Sequence, residues 1–223
     1  MDPFVVENPL LNLSSQYPDS VAFREGSAQS IAVREVLVRL WLTEGIPFAF
    51  RDCPAVYDKA RAWLGTCLRV CPKEITLVGS ARLGFSLARA SYGRAFGQES
   101  DLDLTIVSES LFREVSQTFE NWRSDYETKI VQPPNDRVRA LWDDNSRRGI
   151  QNVRRGFIDQ WMIPNLNQYG LAQKLSQTMW VLQQKLAITP GAPKPKKASV
   201  RVYASWRSLV AQVTLNLRNA AEL

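Results

Sequence analysis

Two aspartates, Asp101 and Asp103, stand two residues apart in Ser100-Asp101-Leu102-Asp103-Leu104-Thr105-Ile106-Val107. Side chains alternate along a strand, so both carboxylates share one face while Leu102, Leu104 and Ile106 share the other. A rigid pair of carboxylates at this spacing suits a hard divalent cation such as Mg2+ or Mn2+. Upstream, Ile75-Thr76-Leu77-Val78 runs into Gly79-Ser80. A Gly-Ser turn after a strand offers backbone N–H groups and a hydroxyl to a phosphate. A phosphate cradle beside a metal clamp is what a nucleoside triphosphate requires.

The chain contains no histidine. That excludes Ser-His-Asp and Cys-His nucleophiles, histidine general bases and His-dependent zinc sites. Chemistry here must run on carboxylates, cations and metal ions. The net charge of +6 favours polyanionic ligands. Arg82, Lys73 and Arg94 are further candidates to meet phosphate. Three cysteines, Cys53, Cys67 and Cys71, form no disulfide framework and point to a reducing compartment, hence a cytoplasmic protein. No apolar run approaches the roughly 20 residues that span a bilayer, and Met1-Asp2-Pro3-Phe4 has no signal-peptide character. No membrane partner is expected.

The elements that must position these residues follow from periodicity. Helices are predicted over Ser30–Glu44, Pro54–Val70 (with Asp52 as a cap), Ala81–Ala90, Ser108–Trp122, Gln168–Ala187 and Ala204–Ala220, from apolar residues at i, i+3, i+4 and i+7. Trp206, Leu209, Val210, Val213 and Leu217 should face inward from the last of them. Strands are predicted over Ile75–Val78, Leu102–Val107 and Ser199–Tyr203, with Lys129-Ile130-Val131 as a further short candidate. Residues 1–29 read as an irregular arm, 54–131 as the core that carries the motif, and 137–223 as a helical elaboration of one domain. Residues 137–155 and 194–201 are rich in arginine and lysine. They are candidate contacts for RNA or another polyanion. Trp142 and Trp161 either stack on bases there or belong to the core.

Val78-Gly79-Ser80 followed by Asp101-Leu102-Asp103 resembles the signature of the nucleotidyltransferase superfamily. The longer run Gly79 to Leu87 and the segment Ser100 to Leu104 look most like its bacterial branch. The resemblance covers about residues 75–107. It implies an α+β, polymerase-beta-like fold with a small mixed sheet covered by helices. It also implies transfer of a nucleoside monophosphate from a triphosphate to a hydroxyl on RNA, protein, a small molecule or a nucleotide. Gly79, Ser80 and Arg82 would hold the triphosphate, and Asp101 and Asp103 would ligate the metal. Relatives of this kind act as toxins on transfer RNA or in antiphage defence.

Two departures from the pattern stand out. Twenty residues separate Ser80 from Asp101, with the extra length in the polar loop Ser91–Glu99, expected near the nucleotide. In the superfamily a third carboxylate lies on a later strand beside the Asp-x-Asp strand. The obvious later strand, Ser199–Tyr203, has none and carries Arg201 instead. Glu127 is the nearest candidate and Asp159 a weaker one. Without a third acid, the alternative is a catalytically silent protein that binds nucleotide or nucleic acid in a regulatory complex.

Overall fold

The computed structural model describes residues 6–221. The expected N-terminal arm falls partly outside these, at residues 1–5. The described part of that arm is not irregular: α1 (Asn8–Leu11) and α2 (Ser20–Ser27) form there. Asp19 caps α2 by accepting from the N–H groups of Val21 and Ala22. Leu10, Leu13 and Phe23 are buried, so apolar anchors fix this segment to the body.

The next helix begins where periodicity places it, with Ser30 as the N-cap of α3 (Ile31–Leu37). It then widens into a π turn over Val38–Leu42. α4 (Pro54–Leu68) opens on proline, with Cys53 rather than Asp52 in the cap position. β1 (Ile75–Val78) and β2 (Leu102–Val107) have the predicted bounds. Between them, α5 (Ser80–Leu83) is a single turn, not the helix expected to Ala90. Gly84 ends it at φ 93°, and a Cβ there would lie 2.7 Å from the Phe48 ring.

α6 (Glu109–Glu127) follows β2. Ser108 precedes it but does not cap it; its hydroxyl pairs with Ser110. The expected strand at Lys129-Ile130-Val131 is a turn, with Lys129 at φ 63° and the Val131 N–H donating to the Asp125 carbonyl. α7 (Asp136–Arg154) leads into a strand that periodicity did not predict, β3 (Phe157–Asp159). α8 (Gly170–Ile188), β4 (Ala198–Tyr203) and α9 (Trp206–Ala221) complete the described residues. Leu209, Val213 and Leu217 of α9 are buried and Val210 packs partly buried beside them, as expected; Trp206 is 44% exposed.

The four strands form one mixed sheet in the order β1-β2-β4-β3. β1 and β3 run antiparallel to their neighbours, while β2 and β4 run parallel. Two of the strands come from 137–223, so the sheet is not completed within 54–131. Its two faces differ. Ile75, Leu77, Leu102, Leu104, Ile106, Ile158, Val200 and Val202 point into a large core with α4, α6 and α8. The opposite face meets α3, the π turn and α9 through Val107, Phe157 and Tyr203. That second core covers only one end of the face. At the other end the outward positions are Asp103, Ser199, Arg201 and Asp159, and there a cavity opens.

Candidate active site

Strand register decides which polar groups meet. Val78, Asp103 and Ser199 form one row across β1, β2 and β4. Thr76, Thr105, Arg201 and Asp159 form the next row, which reaches β3. Because alternate residues share a face, both rows, apart from Thr76, line a cavity of about 630 Å3. Gly79 and Ser80 line one wall, Leu87 to Arg89 another, and Asn216 and Asn219 of α9 a third.

The Gly79 turn has a backbone reason for its residue. Gly79 sits at φ 66°, ψ −146°, a region open essentially to glycine alone. This bend brings β1 back past the β2 carboxylate: a Cβ on Gly79 would lie 3.6 Å from Asp103 Oδ2. Asp103 is solvent-exposed, and its Oδ1 accepts a 2.8 Å hydrogen bond from Ser199 Oγ. Asp101, just before β2, lies 3.5 Å from Lys197 Nζ. The structure thus brings Gly79, Ser80 and Asp103 to one cavity wall, with Asp101 beside it and tied to a lysine.

Asp159 and Arg201 occupy the far side. Arg201 Nε is 2.6 Å from Asp159 Oδ1, and its guanidinium lies over the Phe157 ring at 5.0 Å. Burial pulls the Arg201 pKa down, but Tyr203 and Asp159 outweigh it and hold the guanidinium charged, above its ordinary value. Burial pushes the neighbouring Tyr203 phenol up, so it stays neutral. Asp159 does not sit beside Asp103. With strands spaced about 4.8 Å apart, β3 lies about 10 Å from β2, and Arg201 intervenes. The expected strand next to Asp-x-Asp is in place, and it presents Ser199 and Arg201 rather than an acid.

Several expected site residues lie elsewhere. Glu127 ends α6, is exposed, and pairs with Arg123 at 2.9 Å; it does not line the cavity. The turn at Lys129–Val131 leaves no strand to carry it toward the sheet. Arg82 is neither on the surface nor in the cavity. It is 1% exposed, and its guanidinium donates to the carbonyls of Trp41 and Ile46. Lys73 lines a different cleft, near Arg39 and Trp206. From the long loop, Leu87 to Arg89 reach the cavity while Ser91–Glu99, including Arg94, do not.

The basic stretches split. On α7, Trp142 is buried against Trp122 and Tyr126. Arg147 and Arg148 both pair with Asp144 at 2.8 Å. Trp161, by contrast, is 56% exposed at the cavity. Lys194, Lys196 and Lys197 are exposed. Arg89, Ser199, Asn216 and Asn219 were not anticipated as lining residues. Of these, only Ser199 had a signal in the sequence, since it follows from the alternation of β4.

Among the described residues, no group of three or more Asp, Glu, Cys or His side chains is placed to hold a metal ion. Mg2+ needs fewer: it commonly binds through one or two carboxylates, with waters and substrate phosphates supplying the rest. The exposed Asp103 carboxylate and Asp101 are hard oxygen donors of that kind. Among the described residues, no helix is long and apolar enough to cross a membrane. Comparison with protein families, with curated proteins and with solved structures returns no match to this chain.

Proposed function

We propose that the cavity binds a Mg2+-complexed nucleoside triphosphate and transfers its nucleoside monophosphate to a hydroxyl acceptor. The observation that carries this reading is the packing of the strained Gly79-Ser80 turn against the Asp103 carboxylate at one end of the sheet. It joins a phosphate cradle to a metal-binding acid. Asp101 and Asp103 would hold the ion, which when bound supplies charge neutralisation of the phosphates and orients them for in-line displacement.

The chain's own groups account for the remainder. Gly79 leaves the turn open to close approach by phosphate oxygens, and the Ser80 hydroxyl and N–H can donate to them. Ser199 fixes the Asp103 carboxylate through Oδ1, leaving Oδ2 for the ligand. Lys197 beside Asp101 offers a second positive charge at the rim. Arg201 is a fixed cation aimed at the cavity. When a phosphate oxygen takes its guanidinium, Asp159 is released to accept the proton of the acceptor hydroxyl. That oxygen then attacks the α-phosphorus, the bond to the β-phosphate oxygen breaks, and pyrophosphate leaves.

A second reading has its own observation. Arg201 stands on the strand next to Asp103, and it holds the remaining cavity carboxylate in an ion pair. A site wired in this way grips a nucleotide without turning it over, which suits a regulatory nucleotide-binding protein. Incubation with α-labelled triphosphates and Mg2+ or Mn2+ separates the two: transferred label supports the enzyme, and binding without transfer supports the silent form. A place in bacterial toxin–antitoxin or antiphage systems belongs to the transferase reading and follows from its resemblance alone.

A further inference from the structure

We propose that single-stranded nucleic acid docks at the rim of the cavity with one base stacked on Trp161. Its use as the acceptor rests on the transferase reading; the docking itself does not.

Trp161 is an exposed aromatic on a rigid base. Its neighbours Gln160, Met162 and Ile163 are buried. Its carbonyl accepts a 2.8 Å hydrogen bond from Asn145 Nδ2, and Asn145 is itself only 6% exposed. A buried amide is thus spent on holding in place a residue whose ring lies open. Exposed tryptophan surface is costly in water unless something covers it. The ring also has a cationic neighbour. Lys197 Nζ lies 6.0 Å from its centroid and 3.5 Å from Asp101 Oδ2, so one lysine links the aromatic to the acidic pair. Lys194 and Lys196 are exposed on the same segment; Lys196 pairs with Glu99 at 3.1 Å across an exposed contact that phosphate can replace.

A flat ring beside a line of cations matches single-stranded nucleic acid, whose bases stack on aromatics while its phosphates meet lysine. A duplex hides its base faces and cannot use Trp161. A strand seated there would reach the cavity beside Asp101, where a terminal hydroxyl could meet the bound triphosphate.

The test is fluorescence anisotropy of a short fluorescein-labelled single-stranded RNA with the full chain. The same sequence as DNA, its duplex and, as competitor, unlabelled ATP in its α,β-methylene form run in parallel, all with Mg2+, so that nucleotide can bind and no transfer occurs. Trp161→Ala should weaken single-strand binding about tenfold, within the usual worth of one stacked base, and Trp161→Phe should restore most of it. Lys197→Ala should reduce the slope of log affinity against log salt by about 1. RNA bound more tightly than DNA would assign the strand as RNA; equal binding would assign either strand. Unchanged affinity in Trp161→Ala, or duplex bound as tightly as single strand, overturns the proposal. So does complete competition by ATP with no Trp161-dependent strand binding, which would make the ring a seat for the nucleotide base. A strand that binds through Trp161 but never receives label removes the acceptor role and leaves the docking site standing.

Discussion

Asp159 on β3 and Arg201 on β4 face each other in register, with Arg201 Nε 2.6 Å from Asp159 Oδ1. Arg201 is on the strand where the resemblance implies a third acid, and Asp159 lies one strand farther from Asp103. Both side chains are largely shielded, so screening by water is incomplete. Asp159→Asn should therefore lower stability by about 1.5–3 kcal/mol, the range for a hydrogen bond between charged groups. It should also abolish transfer while leaving nucleotide binding intact. Denaturant titration and nucleotide binding on the same variant check both. Unchanged turnover would remove Asp159 from the mechanism.

Gly79 is required by its backbone rather than by space. The site of an added Cβ is only in ordinary contact with Asp103 Oδ2, but φ 66° with ψ −146° is denied to other residues. Gly79→Ala should cost about 1–3 kcal/mol and weaken triphosphate binding, because the turn must open to relieve the strain. The shift in unfolding midpoint and the nucleotide affinity should move together.

Arg82 is a structural residue. Its guanidinium satisfies the carbonyls of Trp41 and Ile46, and so fastens the π turn and the following loop to α5. Arg82→Met keeps the stem but takes the side-chain donor from the Trp41 carbonyl, while the Ile46 carbonyl keeps Gln16 and Tyr17. The expected loss is about 1–3 kcal/mol, from the one part-buried acceptor left without this donor. The folded fraction of the variant should bind nucleotide with unchanged affinity, which a phosphate-binding arginine would not allow.

Alkaline pH should destabilise the fold through two tyrosines. Tyr92 is pushed up to about 12, by burial first, and its hydroxyl donates to the Ser20 carbonyl. Tyr169 is pushed up to about 12 by burial and by its hydrogen bond to Asp125. The ordinary tyrosine value is 10.0. Raised folded-state values favour the neutral phenol, so the contribution is complete below about pH 10 and is lost as pH rises toward about 12. Denaturation midpoints across that window should fall, and Tyr92→Phe and Tyr169→Phe should each flatten the fall.

What the sequence discloses depends on whether the cause is local. β1 and β2 are legible because strand alternation and the Gly79 turn lie within a few residues. So are the helix starts near Ser30 and at Pro54. α5 is shorter than its pattern because Gly84 reverses against Phe48, a contact 36 residues away in sequence. β3 has three residues, and only pairing with β4 makes it a strand. For that reason Asp159 is hard to place in advance, while the β-prone Ile130-Val131 points to Glu127 instead. Arg82 illustrates the same limit. A charged residue after a Gly-Ser turn suggests a ligand contact, but burial against distant carbonyls is a tertiary event with no local signal.

The central claim is tested most directly by incubating the protein with each α-labelled nucleoside triphosphate, Mg2+ or Mn2+, and total cellular RNA or no acceptor. Asp101→Ala/Asp103→Ala runs beside it, with Glu127→Gln as a control on the exposed end of α6. The account predicts label in RNA, protein or a new soluble nucleotide, lost in the double aspartate variant and retained in Glu127→Gln. Absence of label with every base and both metals, from a protein that still binds nucleotide, would contradict the transferase and leave the silent binding protein.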